Sequence, residues 1–460
     1  MLNLSILRHL KYTLMKTRHI TYALLLSFIG LLSCSDDNEK EKIDEELQEA
    51  ILLASNGNGI DFFKIPNSND FASIPQDPNN ELTPEKIELG KNLYHESVFG
   101  TEGEFPFTAG EYSCASCHHA AAGFQSGLAQ GIGEGGEGFG LKGETRTRNL
   151  LCAADLCDVQ PLRSPTILNS AFQPLMLWNG QFGATNLNQG TEAQWTTDTP
   201  KEVNHLGFEG LETQAIAGLD VHRFGYTTET VGAHGYKEMF DQVFVNDNEE
   251  ERYTSVNAGL AIAAYERTLL ANEAPFQKYL SGNTSALSDY EKEGAILFFS
   301  KANCASCHTG PALNAMEFHA LGMNEFDASE VTHFMEDDPA QFGRFQFTQV
   351  ENDKYKFKTP QLYNLKDVDF FGHGASFHTV KEVIEYKNLG QIENPNVPVS
   401  QLAEEFKPLS LTNDEIEKIT AFILNGLYDP NLDRYVPTSL PSGKCFPNAD
   451  EVSLVDLGCN

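Results

Sequence analysis

The sequence predicts a mainly α-helical protein with long irregular loops, assembled from one unit used twice. Three observations carry this prediction. Cys114-Ala-Ser-Cys117-His118 returns letter for letter as Cys304-Ala-Ser-Cys307-His308, 190 residues later. Arg163-Ser-Pro-Thr-Ile-Leu-Asn169 is paralleled by Lys358-Thr-Pro-Gln-Leu-Tyr-Asn364 at an offset of 195. The periodic stretches, such as Ala258 to Leu270, place apolar residues at helical spacing, and little of the chain alternates as a strand does. Shared order at a nearly constant offset is the mark of duplicated domains.

The elements follow in chain order. Residues 1–33 hold Arg8, Lys11, Lys16 and Arg18 and no acid, and then an apolar run of 12 residues from Tyr22 to Ser33. A membrane span needs roughly 20 apolar residues. The run therefore reads as an export signal. Leu31-Leu32-Ser33-Cys34 resembles the bacterial lipoprotein box, which would make Cys34 a lipidated N-terminus anchored to a membrane in the periplasm or at the cell surface. Residues 34–79 read as a tether, with Ser35 to Glu49 acidic and polar. Thr83 caps a helix that carries Pro84 at its first position and Ile87, Gly90, Leu93 and Tyr94 inside it. Ser288 caps its counterpart, with Gly294, Ile296, Leu297 and Phe298 inside. Trp178-Asn-Gly180 and Phe371-Gly-His-Gly374 mark corresponding turns. A third capped helix, Thr412 to Ile423, closes the second unit. The boundaries are 80–275 for the first unit and 285–436 for the second, with 437–460 as a C-terminal appendage.

Composition narrows the function. With 460 residues and 41% hydrophobic content, the chain is not disordered as a whole. Asp and Glu number 65 against 32 Lys and Arg, a net charge of −33. Nucleic-acid binding depends on basic residues neutralising phosphates, so no nucleic-acid partner is expected. A basic protein partner would instead be steered toward this chain.

The C-x-x-C-H segments carry the chemistry. Both thiols of such a segment add to haem vinyl groups, and the adjacent His binds the iron. Zinc would need two more ligands per site, and a redox dithiol gives no reason for the His. Cys114, Cys117 and His118 are thus expected to hold one covalently bound haem c. Cys304, Cys307 and His308 are expected to hold the other. The remaining pairs, Cys152 with Cys157 and Cys445 with Cys459, read as disulfides in an oxidising compartment, and a crossed pairing stays open.

The two haem motifs, Arg163-Ser-Pro-Thr-Ile-Leu-Asn-Ser-Ala-Phe and Leu-Trp178-Asn-Gly together resemble the bacterial di-haem cytochrome c peroxidases and the related MauG proteins. The resemblance covers roughly residues 80–430. It implies two class-I cytochrome c-like domains. It also implies reduction of hydrogen peroxide to water at the N-terminal haem, with electrons from a small cytochrome c or cupredoxin entering at the C-terminal one. Trp178 matches the tryptophan between the haems. Glu212-Thr-Gln214-Ala matches the segment carrying the family's distal glutamine, so Gln214 takes that role. Where the family places its acid, this chain has His222-Arg223-Phe224. His222 is then the expected proton carrier, and Arg223 the expected stabiliser of departing hydroxide. The glycine-rich loop Gly131–Gly136 lacks the distal His of many members, which implies a first haem that is open without prior reduction. The sixth ligand of the second haem falls at Tyr386 or Lys387, with Met316, Met323, His373 and His378 as further candidates. Ser164 replaces an asparagine associated with calcium, which makes calcium doubtful as a cofactor. A MauG-like oxidase acting on a protein and a non-enzymatic di-haem electron carrier are the rival functions.

Overall fold

Each repeat is built on two helices that cross where one of them has no side chain. The computed structural model describes residues 40–459. Its longer helices are α1 (40–54), α2 (Pro84–His95), α3 (Gly210–Val221), α4 (Ser255–Arg267), α5 (Asp289–Phe299), α6 (Val380–Leu389) and α7 (Asn413–Ala421). A Cβ on Gly90 would lie 1.8 Å from the Ala261 carbonyl oxygen, so α2 rests directly on the backbone of α4. A Cβ on Gly294 would lie 1.9 Å from the Lys418 carbonyl oxygen, which gives α5 the same relation to α7. The expected caps are in place. Thr83 accepts from the Lys86 N–H at 3.2 Å. Ser288 and Glu291 close a reciprocal capping box, as do Thr412 and Glu415.

The extended elements are two-residue ladders: β1 (Gly136–Glu137) with β2 (Thr147–Arg148), and β3 (Phe318–His319) with β4 (Phe357–Lys358), both antiparallel. Among the described residues the remainder is shorter α-helices, 3₁₀ segments, turns and one π-helical segment over Phe422–Gly426. A continuous apolar core runs from Leu47 to Tyr435 and joins the two repeats. Among the described residues no helix is long and apolar enough to cross a membrane. The predicted signal, residues 1–33, and the lipidation site Cys34 lie outside the described residues.

Three expectations need correction. The tether does not hold from residue 40 onward. Leu47, Ala50 and Ile51 share one face of α1 and are buried, and Asp44 pairs with the buried Lys292 of α5 at 2.7 Å. The segment 437–459 is no appendage but folds back on the first repeat. Ser113 donates to the Pro447 carbonyl at 2.7 Å, Ser116 meets Asn448, and Arg146 pairs with Asp450 at 3.3 Å. A Cys445–Cys459 disulfide closes this segment on itself, as predicted. Cys152 and Cys157, by contrast, are unbridged thiols. They pack with Ile132 and Val159, and the Cys157 thiol is directed at the Ala153 carbonyl 3.4 Å away.

Candidate functional site

The first C-x-x-C-H opens a cavity of about 280 Å³ between α2, α3 and α4. Cys114 starts a 3₁₀ turn capped by Ser113, and the His118 N–H closes the motif on the Cys114 carbonyl at 3.1 Å. Tyr94 of α2 donates to the His118 carbonyl and fixes this end of the segment. Burial lowers the His118 imidazole to about 4, so it stands neutral and able to bind a metal.

The cavity wall collects residues far apart in sequence: Cys114, Cys117, His118, Trp178, Gln214 and His222. Gln214 is presented by α3 and leaves its Oε1 without a partner. His222 caps the C-terminus of α3. Its Nδ1 lies 2.8 Å from an Asp158 oxygen, so the ring is oriented by a carboxylate. Burial pulls this imidazole down in pKa, but Asp158 outweighs it and the net shift is upward. Trp178 donates its indole N–H to the Arg163 carbonyl at 2.8 Å. Its turn is pinned from the second repeat by Arg344, which donates to the Asn179 carbonyl at 3.0 Å. Ser164 also lines the cavity.

Arg223 does not join this group. Its guanidinium is paired with Glu134 and donates to the Leu156 carbonyl at 3.0 Å. The expectation that Arg223 stabilises a departing hydroxide is therefore corrected: a buried carboxylate already takes its charge. Glu134 itself turns away from the cavity and accepts from the Glu104 and Phe105 N–H groups at 3.1 and 2.8 Å. Its neighbours Gly131 and Gly133 line the cavity instead. A Cβ at Gly133 would sit 2.1 Å from Asp158, so only glycine lets this loop close over the His222–Asp158 pair.

Two cavity residues escaped the sequence reading. Asp158 is 64 residues from His222 and nothing local marks the pairing. Glu266 is a buried carboxyl on α4, raised to about 8 by burial. The signal for it was present: an acid within the apolar periodic stretch Ala258 to Leu270.

The residues at this site fit a haem. Two unbridged thiols stand one turn from a neutral His. Arg163, buried beside the cavity, leaves Nε and one Nη without partners, which suits an anionic propionate.

The second C-x-x-C-H repeats the local geometry. Cys304 opens a 3₁₀ turn, the His308 N–H returns to the Cys304 carbonyl at 2.9 Å, and its Nδ1 meets the Leu313 carbonyl at 3.0 Å. Burial lowers His308 to about 4. Of the candidate sixth ligands, Tyr386 spends its hydroxyl on the Leu321 carbonyl at 2.5 Å. Met323 packs with Phe377 and Phe406. His378 is half exposed and faces Glu330. His373 is buried between Trp178 and Phe357. Lys387 has no hydrogen-bond or ion-pair partner among the described residues, and burial lowers its ammonium while the Cys307 and Cys304 sulfurs act in the opposite sense.

A family model described as "Di-haem cytochrome c peroxidase" matches residues 84–285. The chain is 26% identical over 351 residues to the methylamine utilization protein MauG of Methylorubrum extorquens, covering 76% of this chain and 80% of that one. It is 28% identical over 382 residues to the cytochrome c551 peroxidase of Nitrosomonas europaea, covering 82% and 91%. Over these spans the chain is similar to the di-haem cytochrome c peroxidases and the MauG proteins. Its fold is similar to a MauG-like protein associated with microbial copper homeostasis, with TM-score 0.54, 20% identity and coverage of 80% and 95%. It is also similar to the di-haem peroxidase BthA of Burkholderia thailandensis, with TM-score 0.51, 16% identity and coverage of 80% and 91%. That likeness points to two haem c groups and to an oxidoreductase of the peroxidase or MauG kind. The family model ends near the close of the first repeat, and the alignments to the MauG and cytochrome c551 peroxidase relatives, over 351 and 382 residues, reach beyond it.

Proposed function

We propose that this chain reduces hydrogen peroxide to water at the first site, using electrons that enter at the second from a small basic redox protein. The observation that carries the reading is the convergence of His118, Gln214 and His222 on one cavity, with Trp178 in its wall. The reaction takes two electrons and two protons for each peroxide and yields two waters. Haem attached at Cys114 and Cys117 and at Cys304 and Cys307, with His118 and His308 as ligands, supplies the one-electron chemistry. The chain's own residues do the rest. Gln214 holds a peroxide oxygen through its free amide. His222 donates Nδ1–H to Asp158, which leaves Nε2 to take a proton from the near oxygen and return it to the far one. Arg223 keeps the Gly131–Gly136 loop in place through Glu134. That loop has no His and lines the cavity with Gly131 and Gly133, so it would offer no side-chain ligand to a haem held by His118.

At the second site we infer that Lys387, with His308, would hold the haem, because the Tyr386 hydroxyl is already committed and the Lys387 amine is not. Each repeat, with its glycine-crossed helix pair flanking a C-x-x-C-H, reads as a class-I cytochrome c-like unit. Export and lipidation at Cys34 complete the reading, since haem attachment and the Cys445–Cys459 disulfide both suit an oxidising compartment.

The test is anaerobic turnover of hydrogen peroxide with a reduced basic cytochrome. Two equivalents of cytochrome oxidised per peroxide, at a rate that falls as salt rises, is the expected result. Electron exchange without peroxide consumption would make the chain a carrier. A long-lived oxidised state discharged only by another protein would favour the MauG-like reading.

A further inference from the structure

The interface between the two repeats is nearly symmetric, and it pairs two residues that the sequence alone does not connect. Trp178 and His373 are 195 residues apart, the same offset that relates Arg163 to Lys358. The isolated bridges beside them, Met176 with Phe182 and Phe371 with Phe377, keep that offset too. The backbone contacts are reciprocal. The Arg163 N–H donates to the His373 carbonyl at 2.9 Å, and the Lys358 N–H donates to the Trp178 carbonyl at 2.8 Å. Each repeat thus presents one ring to the other across the same turn.

The rings touch. The centroids of Trp178 and His373 lie 6.3 Å apart at 72°, an edge-to-face contact. On its other side the imidazole stacks on Phe357, with centroids 3.7 Å apart and planes 10° from parallel. His373 is 4% exposed. Its Nε2 lies 3.3 Å from Oε1 of Glu325. Glu325 in turn lines a polar hollow with Asp327, Glu330 and Glu393 that opens to solvent. Beside the indole there is therefore an imidazole, and beside the imidazole a carboxylate.

We propose that His373 is a positioning residue of the electron relay: with Glu325 behind it, it holds the Trp178 indole in place and stabilises the positive charge that the indole carries during transfer between the repeats. This rests on the reading that both C-x-x-C-H segments carry haem and that Trp178 passes electrons between them. Each relay step moves one electron and no atoms. Trp178 gives one electron toward the first site and is refilled by one from the second, so the indole ends unchanged. Two such passages supply the two electrons that one peroxide consumes. While the indole is one electron short it is cationic, and a carboxylate-backed imidazole beside it favours that state more than an apolar ring does.

The test uses the haem-loaded full chain and the variants His373→Phe and Glu325→Gln. The readouts are the absorption spectrum and midpoint potential of each haem, then the stopped-flow rate of electron transfer from the reduced second haem after peroxide addition. In addition, freeze-quenched electron paramagnetic resonance follows any tryptophan radical. We expect unchanged spectra and potentials, an interhaem rate lowered about tenfold in His373→Phe, a smaller loss in Glu325→Gln, and a changed yield or lifetime of the radical signal. Interhaem transfer at the normal rate in His373→Phe, with Trp178 still required, would overturn the proposal. A shifted second-haem spectrum in His373→Phe would overturn it as well, by making His373 a ligand. If the unsubstituted protein bound no haem or did not react with peroxide, it is the reading of the two sites that would fail. If His373→Phe does not fold, Glu325→Gln carries the same radical and rate criteria alone.

Discussion

Replacing Asp158 by Asn removes a charge from behind His222 while conserving volume. The His222 Nδ1 lies 2.8 and 3.0 Å from the two Asp158 oxygens, and the carboxylate is what raises the imidazole against the pull of burial. The His222 side chain is 36% exposed and that of Asp158 5%, so the pair is partly screened on its cavity side. A charged hydrogen bond is worth up to about 3 kcal/mol, and screening puts this one near the lower end, about 1.5 kcal/mol. The sign follows from linkage. An imidazole with a pKa raised by folding stabilises fully below its unfolded value of 6.5 and loses that contribution as pH rises through the folded value. Urea unfolding of the native protein and Asp158→Asn at about pH 5.5 and about pH 9 measures the difference. The deficit of the variant is expected to be full at the lower pH and largely gone at the higher. The limb of the peroxide pH–rate profile set by His222 should also move to lower pH. An equal deficit at both pH values, with an unmoved profile, would show that Asp158 acts through packing and does not tune the imidazole.

Gly90→Ala drives a methyl group into the Ala261 carbonyl, 1.8 Å from its ideal position, and should cost about 3 kcal/mol or more of stability by urea unfolding. A cost below about 0.5 kcal/mol would mean that α2 and α4 can separate freely. Gln214→Ala should slow the reaction with peroxide about a hundredfold in stopped flow while reduction of the second haem by donor stays nearly intact. The reverse pattern would exchange the roles of the two sites. Lys387→Met should alter the absorption and midpoint potential of the second haem and leave the first unchanged. An unaltered second haem would remove Lys387 from its coordination.

What the sequence shows well is what neighbouring residues decide. Thr83-Pro84, Ser288 with Glu291 and Thr412 with Glu415 are caps written within one turn, and all three form. The C-x-x-C-H turns need only their own backbone to close. Gln214 and Trp178, singled out by resemblance, both line the cavity, and each lies in a segment with its own pattern. Arg223 was misplaced because its partner Glu134 is 89 residues away, and an Arg beside a catalytic His looks the same in sequence whether or not its charge is taken. The return of Asn448 to Ser116 spans 332 residues and leaves no local trace. The buried face of α1 did leave one: Leu47, Ala50 and Ile51 stand at helical spacing inside a polar stretch whose charge dominated the reading.

The central claim is that peroxide is reduced at the His118 site and electrons enter at the His308 site. It is tested most directly by recording the spectrum of each haem while hydrogen peroxide is added to protein with only the second haem reduced. The account predicts that the first haem reacts immediately, and that the second is then oxidised at a rate that depends on Trp178. A second haem that reacts with peroxide directly, at a rate indifferent to Trp178→Ala, would contradict it.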